Sequence, residues 1–143
     1  MSIARPKLLK VGQGRRPIRT LIVDDSPVAL ESLRLFLGTD EACELAGSGQ
    51  SGSQAVELAA TLHPDVVLLD LQMTGMNGLD ATRKIKLQAD PPLVVIVTVF
   101  NDAGCRAAAI AAGADGFVGK GEVASALLPL VHRLFKQRTR RAS

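Results

Sequence analysis

Four separate apolar runs in this chain each end in a charged or hydroxyl side chain: Val23-Asp24-Asp25, Leu69-Asp70, Val97-Thr98 and Gly119-Lys120. The runs are short, and Val66 to Leu69 and Leu93 to Val97 are apolar throughout, which is the pattern of strands buried on both faces of a parallel sheet. If all four are parallel strands, their C-terminal ends share one edge. Three carboxylates, a hydroxyl and an ammonium then meet there, a set suited to a divalent cation and a phosphoryl group.

The segments between the runs read as helices. Ser26-Pro27 supplies an N-cap and first helical residue, with Leu30, Leu33 and Leu37 on one face and Gly38 as the stop. Glu44 to Ala46 predicts a short edge strand, and Ser51 to Gln54 has the capping-box pattern before a helix that Pro64 ends. A loop from Gln72 to Gly78 precedes a short helix near Asp80 to Leu87, and an alanine-rich helix over Ala103 to Ala112 follows the fourth strand. Gly116 to Val118 predicts a fifth strand. Val123, Ala126, Leu127, Leu130, Val131, Leu134 and Phe135 place a last helix in i, i+3, i+4, i+7 order, with Pro129 expected to kink it. The alternation is (βα)5. Right-handed crossovers make this a single-domain, doubly wound, five-stranded parallel sheet of order 2-1-3-4-5, the flavodoxin-like architecture, with ligands outside the carboxyl ends of strands one and three.

With 143 residues, 47% apolar, one core can be buried, and without Trp or Tyr it must be aliphatic. No run is long enough for a signal peptide or a membrane span, so a cytoplasmic protein without membrane insertion is expected. Charge is segregated. Met1 to Arg19 carries six Lys/Arg and no acid, Val131 to Ser143 carries five and no acid, and Thr20 to Leu130 holds all 14 acids. Residues 1–17 are read as a disordered basic extension, 18–137 as the globular domain and 138–143 as a basic tail. The arms lack aromatic residues for base stacking. Cys43 and Cys105 show none of the paired short spacings of a zinc site and are read as buried thiols; His63 and His132 are read as surface residues.

Three carboxylates at one edge repel one another unless a cation is present or one is protonated. Mg2+ fits, as a hard ion that takes oxygen ligands and keeps several waters. The order and spacing of these residues resemble the receiver domain of the two-component response regulators over about residues 18 to 137. Asp24-Asp25 is similar to that family's acidic pair, Asp70 to its phospho-acceptor, Thr98 to its hydroxyl position and Lys120 to its lysine. The run Asp70 to Gly78 resembles the family's loop after the acceptor, and Asp24 to Val28 resembles receivers fused to helix-turn-helix DNA-binding domains.

The resemblance implies that Asp70 accepts a phosphoryl group from a sensor histidine kinase or phosphotransfer protein. It implies Mg2+ held by Asp25, Asp70 and the backbone carbonyl of Gln72, and through water by Asp24. Lys120 would add a second positive charge, and Thr98 would donate to the aspartyl phosphate. Phe117 would be the aromatic switch, reshaping the fourth helix, fifth strand and fifth helix for an unidentified downstream protein or a homodimer. Such a chain is a regulator and not an enzyme. With seven residues after Lys136, no sequence-specific DNA binding is expected. Gln72 and Phe100 occupy the positions that tune phosphoryl lifetime, and a bulky Phe100 predicts slow self-hydrolysis.

Three departures stand out: Thr74 where Pro is usual, Gly121 where a cis proline is common, and Pro129 within the last helix. Two rival functions fit less well. A receiver-like module that never carries phosphate is disfavoured by the intact Asp70, Thr98 and Lys120. A phosphohydrolase would commonly need Asp-x-Asp, and Ser26 stands where its second Asp would be. Gly47-Ser48-Gly49-Gln50-Ser51-Gly52 matches a dinucleotide fingerprint, but on a short second strand it makes no compelling NAD site.

Overall fold

The five strands are β1 (Ile18–Val23), β2 (Cys43–Gly49), β3 (Val66–Leu69), β4 (Leu93–Thr98) and β5 (Gly116–Gly119), all parallel, in the order β2-β1-β3-β4-β5. Between and after them lie α1 (Pro27–Leu37), α2 (Gly52–Leu62), α3 (Gly78–Lys86), α4 (Ala103–Ala111) and α5 (Leu128–Ala142). The computed structural model describes residues 16–142. Most of the expected N-terminal extension lies outside the described residues. α5 is helical through Ala142, past the tail boundary expected at 137.

Alternation along the strands divides the core in two. Leu21, Val23, Val67, Leu69, Val94 and Ile96 pack with residues of α2, α3 and α4. Ile22, Leu68, Val95 and Val97 pack on the opposite face with Leu33 and Leu37 of α1 and Val131 of α5. Leu21, Leu68, Leu69 and Ile96 are wholly buried, and truncating such a side chain to Ala typically costs about 2 to 5 kcal/mol.

Side-chain caps fix where four helices start. Ser26 accepts from the Ala29 N–H, Ser51 from Gln54, Asn77 from Asp80 and Asp102 from Cys105. Each of these starts follows the C-terminal end of a strand, so the helix N-termini, with their partial positive charge, line the edge where Asp24, Asp70 and Thr98 emerge.

Two expectations change. β2 runs through Gly47 and Gly49, so the first two glycines of the apparent dinucleotide fingerprint extend an edge strand, while the third, Gly52, opens α2. The last helix is not α throughout. After a 3-10 turn (Lys120–Glu122) comes a π turn (Val123–Leu127), and α5 begins at Leu128 with Pro129 as its second residue. The disturbance expected at Pro129 takes the form of a π turn directly before it, a feature at which, as at proline itself, helices depart from regular winding. Among the described residues every peptide bond is trans, including the one before Gly121. No helix among them is long and apolar enough to cross a membrane.

Candidate functional site

Asp24 and Asp70 follow neighbouring strands, and the Asp70 N–H donates to the Val23 carbonyl at 3.1 Å, which brings both carboxylates to the same point on the edge. Asp24 is almost wholly buried. Its Oδ1 accepts from the Ser26 N–H at 2.9 Å, and its Oδ2 accepts from Lys120 Nζ at 2.7 Å. Lys120 reaches Asp70 Oδ2 at 3.4 Å as well. Burial pushes the Lys120 ammonium down, but its hydrogen bond to Asp24 and the charges of Asp70 and Asp24 outweigh it and hold its pKa above the ordinary lysine value.

Asp70 Oδ1 has no such partner. It is buried and makes no hydrogen bond among the described residues, which for an acceptor next to two further carboxylates is costly. Asp24, Asp25 and Asp70 each present an oxygen within 4.8 Å of the other two, with Asp25 exposed to solvent. Three hard oxygen donors, one of them orphaned, fit a small divalent cation such as Mg2+.

The loop after Asp70 is held close beneath it. The Gly78 N–H donates to the Leu71 carbonyl at 2.9 Å, and a Cβ at Gly78 would lie 2.2 Å from the Asp70 carbonyl oxygen. Only glycine permits that approach. Gly75, with φ of +82°, makes the turn that Pro would have stiffened beside Thr74. Gln72 is exposed.

Thr98 is fully buried at the end of β4, opposite Gly119, which places it one residue from Lys120 across the β4–β5 pair. Its Oγ1 accepts from the Phe100 N–H at 3.2 Å. Phe100 is 43% exposed on the loop beyond β4. Phe117 is buried in the α2/α3/α4 side of the core, and the Arg106 guanidinium lies over its ring at 4.8 Å. Asp24, Asp25, Asp70 and Lys120 therefore converge, and Thr98 sits at the same edge; Phe117 is on the strand that leads to Lys120.

Sequence reasoning missed Arg106. Its contact depends on the direction in which α4 faces β5, and no periodicity marks a cation over a ring. It also missed Asn101, whose side chain lies so close over Gly119 that a Cβ there would sit 2.6 Å from its amide nitrogen.

The response regulator receiver domain model matches residues 20–132, which include all of these side chains. The chain belongs to the response regulator receiver family. Among similar proteins, the transcriptional regulatory protein YdfI of Bacillus subtilis is 38% identical over 102 residues, covering 71% of this chain and 47% of that protein. A protein-glutamate methylesterase/protein-glutamine glutaminase of Paramagnetospirillum magneticum is 40% identical over 108 residues, covering 74% of this chain and 31% of that protein. This receiver chain thus spans about half or less of the length of these relatives. The fold agrees with the crystal structure of the response regulator domain of Thermotoga maritima CheB, at a TM-score of 0.79 and 29% identity over 85% of this chain and 98% of that one.

Proposed function

We propose that Asp70 takes a phosphoryl group from the phosphohistidine of a sensor histidine kinase or phosphotransfer protein, and that the modified domain signals by contact through α4, β5 and α5. The observation that carries this reading is the unpartnered, buried Asp70 Oδ1 beside Asp24 and Asp25. A carboxylate is already the nucleophile, so no general base is needed. As the new O–P bond forms at Asp70, the P–N bond to the donor imidazole breaks.

Asp25, Asp70 and the Gln72 backbone carbonyl would hold Mg2+ directly, and Asp24 through water. The ion supplies neutralisation of the phosphoryl charge. Lys120 supplies the second positive charge; its bonds to Asp24 and Asp70 hold it at the acceptor before any donor arrives. The Thr98 hydroxyl, which accepts from the Phe100 N–H, keeps its own hydrogen for donation to the aspartyl phosphate. In this reading Phe117 and its Arg106 lid form the switch, and Phe100 shields the product from water. Residues 18–137 act as the receiver unit, in the cytoplasm where an ATP-dependent donor kinase is phosphorylated, and the basic segments flank it. A homodimer through α4, β5 and α5 is one form the output contact could take.

The test is incubation with Mg2+ and acetyl phosphate, followed by intact mass, with Asp70→Asn as control. Gain of one phosphoryl group that needs both Mg2+ and Asp70 supports the reading. No gain in the wild type sinks it in favour of a phosphate-independent interaction module.

A further inference from the structure

We propose that Asp40, Cys43 and His132 form a second metal site, at the end of the sheet opposite the acidic cluster and matched to a zinc-class dication. Asp40 lies in the connection between α1 and β2, Cys43 opens β2, and His132 is on α5. One carboxylate, one sulfur and one imidazole nitrogen from these residues lie within 4.8 Å of one another. His132 Nε2 is 2.5 Å from Asp40 Oδ2, and Cys43 Sγ is 3.6 Å from the same oxygen.

The arrangement converges on a point. The carboxylate sits between the thiol and the imidazole, both of which contact the same Oδ2, so His132 is not placed as a base for Cys43 in the manner of a nucleophilic pair. Asp40 is itself oriented, because its other oxygen accepts from the Ala42 N–H at 2.9 Å, the kind of outer contact that fixes a ligating carboxylate. Cys43 is 1% exposed, whereas the His132 side chain is 42% exposed and leaves a route for an ion.

Zinc bonds of about 2.0 to 2.3 Å would place tetrahedral donors roughly 3.3 to 3.6 Å apart. The Cys43–Asp40 pair already stands at that separation, the short Asp40–His132 contact must open, and Cys43 and His132 lie within 4.8 Å of each other. A mixed sulfur, nitrogen and oxygen set selects zinc-class ions over Mg2+, which disfavours thiolate. On binding, the Cys43 S–H loses its proton to solvent as the sulfur–metal bond forms, and the proton on His132 Nε2 that faces Asp40 leaves through solvent, the neutral imidazole then carrying its one proton on Nδ1. Three protein ligands leave the fourth position to water. The bound ion would tie α5 to the edge of the sheet.

The experiment uses the full chain, stripped with a chelator, reduced with a phosphine and titrated with Co2+ in excess Mg2+. One Co2+ per chain with a thiolate-to-cobalt charge-transfer band is expected, bleached by Zn2+. The band should survive Cys105→Ser, which removes the only other cysteine, and Asp70→Asn, which disables the acidic cluster. It should vanish in Cys43→Ser and be lost or shifted to much weaker binding in His132→Gln. Absence of the band in the wild type, its survival in Cys43→Ser, or its loss in Cys105→Ser would overturn the assignment. Should Cys43→Ser not fold, the exposed His132→Gln decides alone: unchanged Co2+ affinity refutes the site, and weakened affinity with native circular dichroism supports it.

Discussion

Asp65 and Asp70 bracket the same four-residue strand, β3, and are almost equally buried, yet their surroundings differ in kind. Asp65 accepts two bonds from the Arg16 guanidinium, at 2.7 and 2.9 Å, and one from the Arg19 N–H at 2.8 Å. Its backbone carbonyl accepts from the Leu93 N–H and from Arg138. Arg16 also lies over the Phe135 ring, so one carboxylate joins the entry to β1, the start of β3 and the end of α5. Asp70, at the other end, has one oxygen at 3.4 Å from a shared ammonium and one with no partner among the described residues. A saturated buried carboxylate holds structure together. An unsaturated one costs stability, and a fold retains it where a ligand will complete it.

Substitution should separate the two ends. Asp70→Asn is expected to abolish phosphoryl uptake completely while leaving stability unchanged or raised, since it removes one of three mutually repelling charges; intact mass and urea denaturation read both. A large loss of stability would mean that the two carboxylates do the same job. Gly78→Ala acts at the same end through the backbone. Its Cβ must displace the Asp70 carbonyl, and a cost of about 2 to 3 kcal/mol together with slowed phosphorylation is expected.

Asp65→Asn should cost about 2 kcal/mol, because it weakens the bonds from Arg16 and Arg19, and should leave the rate of phosphorylation from acetyl phosphate unaltered. A slowed rate would couple the two ends. The smallest effect belongs to Arg106→Ala, about 0.5 to 1 kcal/mol from losing its place over Phe117. That variant should be phosphorylated normally but show a smaller difference in partner or dimer affinity between its two phosphorylation states.

Much of this was legible in the residues. Asp24, Asp70, Thr98 and Lys120 end their strands because a parallel sheet buried on both faces admits polar side chains only where the strand stops, and that rule alone gathers the candidate site. Other features depend on contacts between distant segments. Cys43 and His132 read as an inert thiol and a surface imidazole because their meeting at Asp40 requires the docking of α5 beside the α1–β2 connection. β2 proved longer than expected because Gly47, Ser48 and Gly49 have little strand propensity of their own and are held by pairing with Leu21, Ile22 and Val23. Pro129 signalled a disturbance of the last helix, and a π turn stands directly before the α5 residues that contain it.

The π turn at Val123–Leu127 has a bearing on how the chain tolerates insertion and deletion. A π turn holds more residues per revolution than an α turn, so it takes up an extra residue without rotating the helix beyond it. Angular phase, carried forward along α5, decides that Val131 faces the sheet while Arg133, Arg140 and Arg141 face outward. Removing one residue from Val123 to Leu127 would let that turn relax to α winding with the downstream faces kept in place, whereas the same removal after Val131 would swing every later side chain by about 100°. The turn acts as a slip joint in the helix, and length variation along this element is best accommodated there.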